Sequence, residues 1–74
     1  EVNTSKGRLD CILFAPKQIF IIEFKVDESA EKALAQINEK GYAEPYRTDG
    51  RPIVKIGVNF SSEERTIEGW KVEQ

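Results

Sequence analysis

The stretch Ile19–Val26, "IFIIEFKV", sorts under a two-residue period into Ile19, Ile21, Glu23 and Lys25 on one face and Phe20, Ile22, Phe24 and Val26 on the other. Both sets are mostly large and apolar, as in a strand at the centre of a sheet. Only Glu23 and Lys25 interrupt the pattern, and both fall on the same face. The neighbours of this strand decide the fold, and the two charges raise the question of function.

Upstream, "RLDCILF" (8–14) is a second apolar-rich run, stopped by Ala15-Pro16-Lys17-Gln18. Two strands joined by a four-residue, Pro-containing loop predict a hairpin. Downstream, Asp27 is expected to cap a helix over 28–41, with Glu28 and Glu31 in the first turn, where exposed amides favour carboxylates. Ala30, Ala33, Leu34 and Ile37 recur at the spacing of one helical face, and Gly41 after Lys40 is the expected stop. A turn-rich connection, "EPYRTDGRP", leads to an alternating run, "IVKIGVNF" (53–60). The polar loop "SSEER" and the run "TIEGWKV" then complete a second hairpin. The alternation breaks at Glu68-Gly69, where a bulge is expected to keep both Ile67 and Trp70 on the core.

Strand 19–26, helix and strand 53–60 together have the length of a crossover connection, which predicts that the two strands are parallel. The fold class is therefore α/β (α+β). A mixed sheet of about four strands, built as hairpin, helix crossover and hairpin, has one main helix over one face.

The 74 residues, 39% of them hydrophobic, suffice for one small domain over 1–74. The chain begins at Glu1 rather than Met and is expected to be a C-terminal piece of a longer protein. A net charge of −2 excludes the overall basic surface of many nucleic-acid ligands, so any phosphate contact must be local. Lys6, Arg8, Lys40, Arg47, Arg51 and Lys55 are the candidates, among thirteen acidic residues. Cys11, the single cysteine, allows no internal disulfide and no Cys-rich zinc site, and reads as a small buried hydrophobe in a reducing compartment. The apolar runs, such as Ile19 to Ile22, are far short of a membrane span, so a cytoplasmic protein with no membrane partner is expected. A core of this size leaves homodimerisation open.

With the loop at 15–18, Phe14 falls opposite Ile19, Ile12 opposite Ile21, Asp10 opposite Glu23 and Arg8 opposite Lys25. Opposed residues have Cβ atoms roughly 4.5–5.5 Å apart, where like charges are destabilising. Two facing carboxylates need a compensating cation, or one must stay protonated. With no His and one Cys, the available ligands are oxygens, which suit a hard ion such as Mg²⁺ or Mn²⁺. Lys25 would project beside that ion, placed to orient a nucleophilic water or to stabilise charge on a phosphoryl oxygen. The alternative is a surface ladder in which Arg8 and Lys25 neutralise the two carboxylates, an arrangement of small energetic value. Spacing leaves both open; Ile12, Phe14, Ile19 and Ile21 on the same face argue against full solvation. Gln36 lies about 60° from Ala33 around the helix, at the edge of the apolar stripe, where it either reaches the sheet margin or is solvated. Tyr42 either packs its ring or meets a substrate.

Gly7-Arg8-Leu9-Asp10, then Glu23-Phe24-Lys25, then a helix with Ala33-x-x-Gln36-Ile37 and Tyr42, resembles the PD-(D/E)XK nuclease superfamily. More narrowly, "IIEFKV", "A-x-x-Q-I-x-x-K-x-Y" and a closing "K-I-G-V-N-F…W-K-V" look like the bacterial branch found at the C-terminus of AAA ATPase-like proteins. The resemblance runs from Gly7 to Val72. It implies a restriction-endonuclease-like core and metal-dependent phosphodiester hydrolysis, with Asp10 and Glu23 as Mg²⁺ (or Mn²⁺) ligands, Lys25 as the catalytic lysine and Gln36 assisting from the helix. Leu9 replaces the proline of the motif, which is harmless to the chemistry. The superfamily core usually opens with a helix that often supplies a further acidic ligand, yet only "EVNTSK" precedes Gly7; that helix is expected to lie upstream in the intact protein, and the sheet face exposed without it to be covered by a partner chain.

Two functions stand against each other. One is a nuclease acting on nucleic acid, DNA foremost, with Arg8, Lys40 and Tyr42 as substrate-binding candidates. The other is a catalytically inactive module that binds nucleic acid or protein for an attached ATPase-like domain. An unrelated structural domain ranks last.

Overall fold

A computed structural model describes the backbone of residues 2–5 and 8–74 and the side chains of residues 11–74. The elements, in chain order, are β1 (Val2–Ser5), β2 (Arg8–Phe14), β3 (Ile19–Val26), α1 (Ala30–Lys40), a short 3₁₀ turn (Glu44–Tyr46), β4 (Ile53–Ser61) and β5 (Thr66–Glu73). They form one sheet in the order β1-β2-β3-β4-β5 with α1 packed against it. The expected strands are all present, and β3 is central, antiparallel to β2 and parallel to β4. The fifth, β1, pairs antiparallel with β2. Four residues of mixed polarity carry too little alternation to announce a strand, but "VNTS" contains β-branched Val2 and Thr4 and meets an otherwise open edge.

The two-strand register matches the expectation residue for residue: Phe14 with Ile19, Ile12 with Ile21, Asp10 with Glu23, and Arg8 with Lys25. The Ala15 amide donates to the Gln18 carbonyl at 2.8 Å and closes the loop.

The helix differs at its start. Ser29, not Asp27, is the N-cap, its hydroxyl accepting from the Lys32 amide at 3.1 Å, and the helix runs over 30–40 rather than 28–41. Asp27 is unavailable because it is used elsewhere. Its carboxylate accepts from the Ser62 amide at 3.0 Å and hydroxyl at 2.5 Å, and its backbone takes φ 58°. Asp tolerates that left-handed conformation better than most residues. The turn after β3 is thereby tied to the turn after β4. Gly41, at φ 68°, ends the helix with its amide on the Ile37 and Asn38 carbonyls, a conformation for which glycine is suited.

Ala30, Ala33 and Ile37 are the buried residues of α1. Ile37 meets Ile21 and Ala43, with Ile12, Leu34, Tyr42, Tyr46 and Ile53 around them. Gly57 makes the approach close at the other end. A Cβ there would lie 2.5 Å from the Leu34 amide nitrogen and would run into the Ala30 carbonyl oxygen. Helix and strand therefore touch backbone to backbone, which only glycine permits.

On β5 the register moves from Asn59↔Gly69 to Phe60↔Ile67, so Glu68 is the extra residue of the expected bulge. The bulge does not deliver Ile67 and Trp70 to the core, however: they are 49% and 66% exposed. The face of the sheet that β5 offers them to is not the one α1 covers. Cys11, expected to be buried, is half-buried.

Candidate functional site

Four rows of residues cross the helix-covered face. Phe14, Ile19 and Ile53 form the first; Ile12, Ile21, Lys55 and Glu73 the second; Asp10, Glu23, Gly57 and Lys71 the third; Arg8, Lys25, Asn59 and Gly69 the fourth. The face therefore grades from apolar to charged along the strands. The first two rows contain Ile19 and Ile21, which are closed to solvent. The last two hold Glu23 and Lys25 and, by register, Asp10 and Arg8; the side chains of Asp10 and Arg8 lie outside the described residues.

Glu23 is 0% exposed, a carboxylate sealed into the sheet. Its burial follows from the row: Gly57 at the neighbouring position of β4 lets the first turns of α1 settle onto the sheet. A charged group withdrawn from water in this way must be compensated by a partner or a cation. Lys25, two residues on, is half-buried, with Asn59 beside it on β4. Asn59 is a residue that the sequence reading passed over. Its Nδ2 donates to Glu68 Oε1 at 3.0 Å, and its Oδ1 is buried with no hydrogen-bond partner among the described residues. The signal was a polar residue interrupting "IGVNF" opposite a strand that already carries a charge.

Gln36 is half-buried. Glu31 and Asn38 reach Lys71 and Glu73 on β5, so Gln36, on the opposite flank of α1, lies toward β3 and β2. That is the side of Glu23. Tyr42 packs on the Ile21, Ile37 and Ala43 cluster, one step along the face from Glu23. Lys40 is exposed in the last turn of α1, at the apolar end of the sheet, away from Lys25. Of the other basic candidates, Lys6 lies outside the described residues. Arg47 pairs with Glu44 at 2.8 Å, Arg51 with Asp49 at 2.6 Å, and Lys55 with Glu73 at 3.7 Å while donating to Asn38 Oδ1 at 2.6 Å. Arg47, Arg51 and Lys55 line a cavity of about 290 Å³ with Ala43, Ile53 and Gln74, but their charges are already met by carboxylates of this chain.

A hard divalent cation fits the donor chemistry. Glu23 supplies a buried carboxylate, Asp10 stands at the facing register position, and His is absent from the whole chain. Among the described residues no three His, Cys, Asp or Glu side chains converge, so any further oxygen ligand has to come from outside that set.

The model of the PD-(D/E)XK nuclease superfamily matches residues 1–70. The chain belongs to that superfamily. The structure sets Asp10 and Glu23 at facing positions of β2 and β3, with Lys25 two residues beyond Glu23. Members of the superfamily generally use divalent metal ions. A relative, an uncharacterized protein in the vnfD 5′ region of Azotobacter chroococcum mcd 1, is 43% identical over 75 residues, covering 99% of this chain and 14% of its own length. The chain thus spans about one-seventh of that relative. No solved structure matches it. Among the described residues no helix is long and apolar enough to cross a membrane.

Proposed function

We propose that this superfamily domain hydrolyses nucleic-acid phosphodiester bonds, DNA foremost, with Asp10 and Glu23 binding Mg²⁺ or Mn²⁺ and Lys25 as the catalytic lysine. The observation that carries the reading is the register: Asp10 faces Glu23 across the β2–β3 ladder, with Lys25 two residues further on the same face. A divalent ion held there supplies Lewis acidity to a phosphoryl oxygen and a lowered pKa for bound water. The Lys25 ammonium, partly withdrawn from solvent, stabilises the charge that grows on the phosphoryl oxygens, where a fixed cation is worth more than in water. Gln36 helps to orient the nucleophile from the helix flank, and Arg8 and Tyr42 contact the substrate; Lys40, at the far end, contributes only to a long binding track. The domain acts as one part of a longer, cytoplasmic polypeptide, at the C-terminus of an ATPase-like domain.

A second reading rests on the complete burial of Glu23, which suits a structural carboxylate as well as a metal ligand. In that case the domain binds nucleic acid or protein without turnover. Titration of Mg²⁺ and Mn²⁺, followed by melting temperature, tests the site directly. The parent is expected to be stabilised, and Asp10→Asn and Glu23→Gln to lose most of the gain. Equal responses in all three would remove the metal site. Cleavage of plasmid, single-stranded DNA and RNA, with Lys25→Ala as the comparison, then separates a catalyst from a binder.

A further inference from the structure

Asn59 is a polar residue of the charged rows that the proposed reaction does not use, and its environment is specific. A carboxylate only accepts hydrogen bonds, so the group of Asn59 that meets Glu68 Oε1 at 3.0 Å must be the amide nitrogen. Oδ1 is thereby turned away from β5. Glu68 can do this because it is the extra residue of the β5 bulge, and because Gly69, directly opposite Asn59, has no side chain to intervene. The result is an acceptor that is buried and has no partner among the described residues. Such an atom calls for a donor.

The adjoining position on β3, on the same face, is Lys25, which has three rotatable donors on a flexible stem. The strand spacing of about 4.8 Å places the two side chains within mutual reach.

We infer that Asn59 is a positioning residue for Lys25. Its Oδ1, oriented by Glu68 and without a partner among the described residues, is the acceptor that the Lys25 ammonium takes up by rotation about its stem, and it holds that cation at the charged end of the face. This deepens the reading of the same site and rests on it only for the consequence in turnover. A lysine without such an acceptor would sample solvent and would spend less of its time at the reacting phosphoryl group.

Relaxation of the lysine ¹³Cε signals in the metal-free chain tests the contact without any need for activity. Lys25 Cε is expected to be more ordered than that of exposed Lys17. In Asn59→Ala it should fall to the Lys17 level, while Lys55, held by Asn38 and Glu73, is unchanged. Asn59→Asp combined with Glu68→Gln reverses donor and acceptor in that pair, keeps an acceptor toward Lys25 and should restore the order, whereas Asn59→Leu, which refills the space without an acceptor, should not. Glu68→Ala, at an exposed position, should loosen Lys25 in part, and it decides the matter if Asn59→Ala does not fold. A Lys25 as mobile as Lys17 in the parent, or equally ordered in the parent and in the variants, overturns the inference. If the parent cleaves nucleic acid, Asn59→Ala should lower kcat by about 10- to 100-fold with little change in KM; a change in KM alone counts against it. If the parent does not cleave, the proposed function fails, while the ¹³Cε comparison still decides the role of Asn59.

Discussion

Under α1, Ile19, Ile21 and Glu23 are closed to solvent, whereas across the same sheet Leu13, Ile67, Trp70 and Val72 stand about half-exposed or more. The two faces have similar residue types. Among the described residues of the open face only Val54 and Val58 are buried, and Val58 lies between Phe24 and Trp70 in the register, sheltered by its neighbours. The difference comes from the single helix and from Gly57, which lets it descend to backbone contact. One consequence is that a carboxylate and an isoleucine two residues apart are equally buried. The other is that a tryptophan, the residue most costly to leave in water, is not.

The comparison can be broken most strongly from the covered side. Ile37→Ala should cost about 2–5 kcal/mol in urea unfolding, since it empties the contact with Ile21 and Ala43. Gly57→Ala should cost about 1–3 kcal/mol through overpacking, and it should also raise amide hydrogen exchange in the first turns of α1, because Ala30 and Leu34 are the atoms displaced. Ser29→Ala should cost about 1 kcal/mol through loss of the cap, whereas Glu28→Ala, outside the helix, should be near neutral.

Asp27 gives a pH-dependent effect. Its hydrogen bonds from the Ser62 hydroxyl and amide hold the carboxyl below its ordinary value of 3.8. A lowered folded-state pKa means that this stabilisation is present above about pH 4 and is lost as pH falls through the folded value. The stability difference between the parent and Asp27→Asn should therefore be constant near neutrality and should shrink under acid. A difference that grows on acidification would contradict the linkage. Trp70→Ala, on the open face, should cost no more than about 1 kcal/mol, the worth of its cross-strand contact with Val58. A loss of several times that would mean that something covers this face in solution and would erase the contrast.

Much of this was legible along the chain. Period-two alternation placed β2, β3, β4 and β5, and a four-residue loop with Pro16 set the β2–β3 register, because turn length and side-chain alternation are local properties. That register was enough to bring Asp10 to Glu23. The bulge was legible too, from the break at Glu68-Gly69. What the bulge does was not: Ile67 and Trp70 were expected inside, and Glu68, the extra residue, serves to orient Asn59.

The amino-acid order by itself determined strands β2 to β5, the helix stop at Gly41, the parallel pairing of β3 with β4 and the row that holds Asp10 and Glu23. Tertiary structure alone decided which of two similar faces α1 covers, how deeply Glu23 is buried, and that Asn59 lies beside Lys25. It also decided that Ser29 caps the helix, since Asp27, the equally good local candidate, is engaged by Ser62, thirty-five residues away. Periodicity and turn chemistry act between near neighbours; burial, cap competition and the partners of a polar atom depend on groups that only the folded chain brings together.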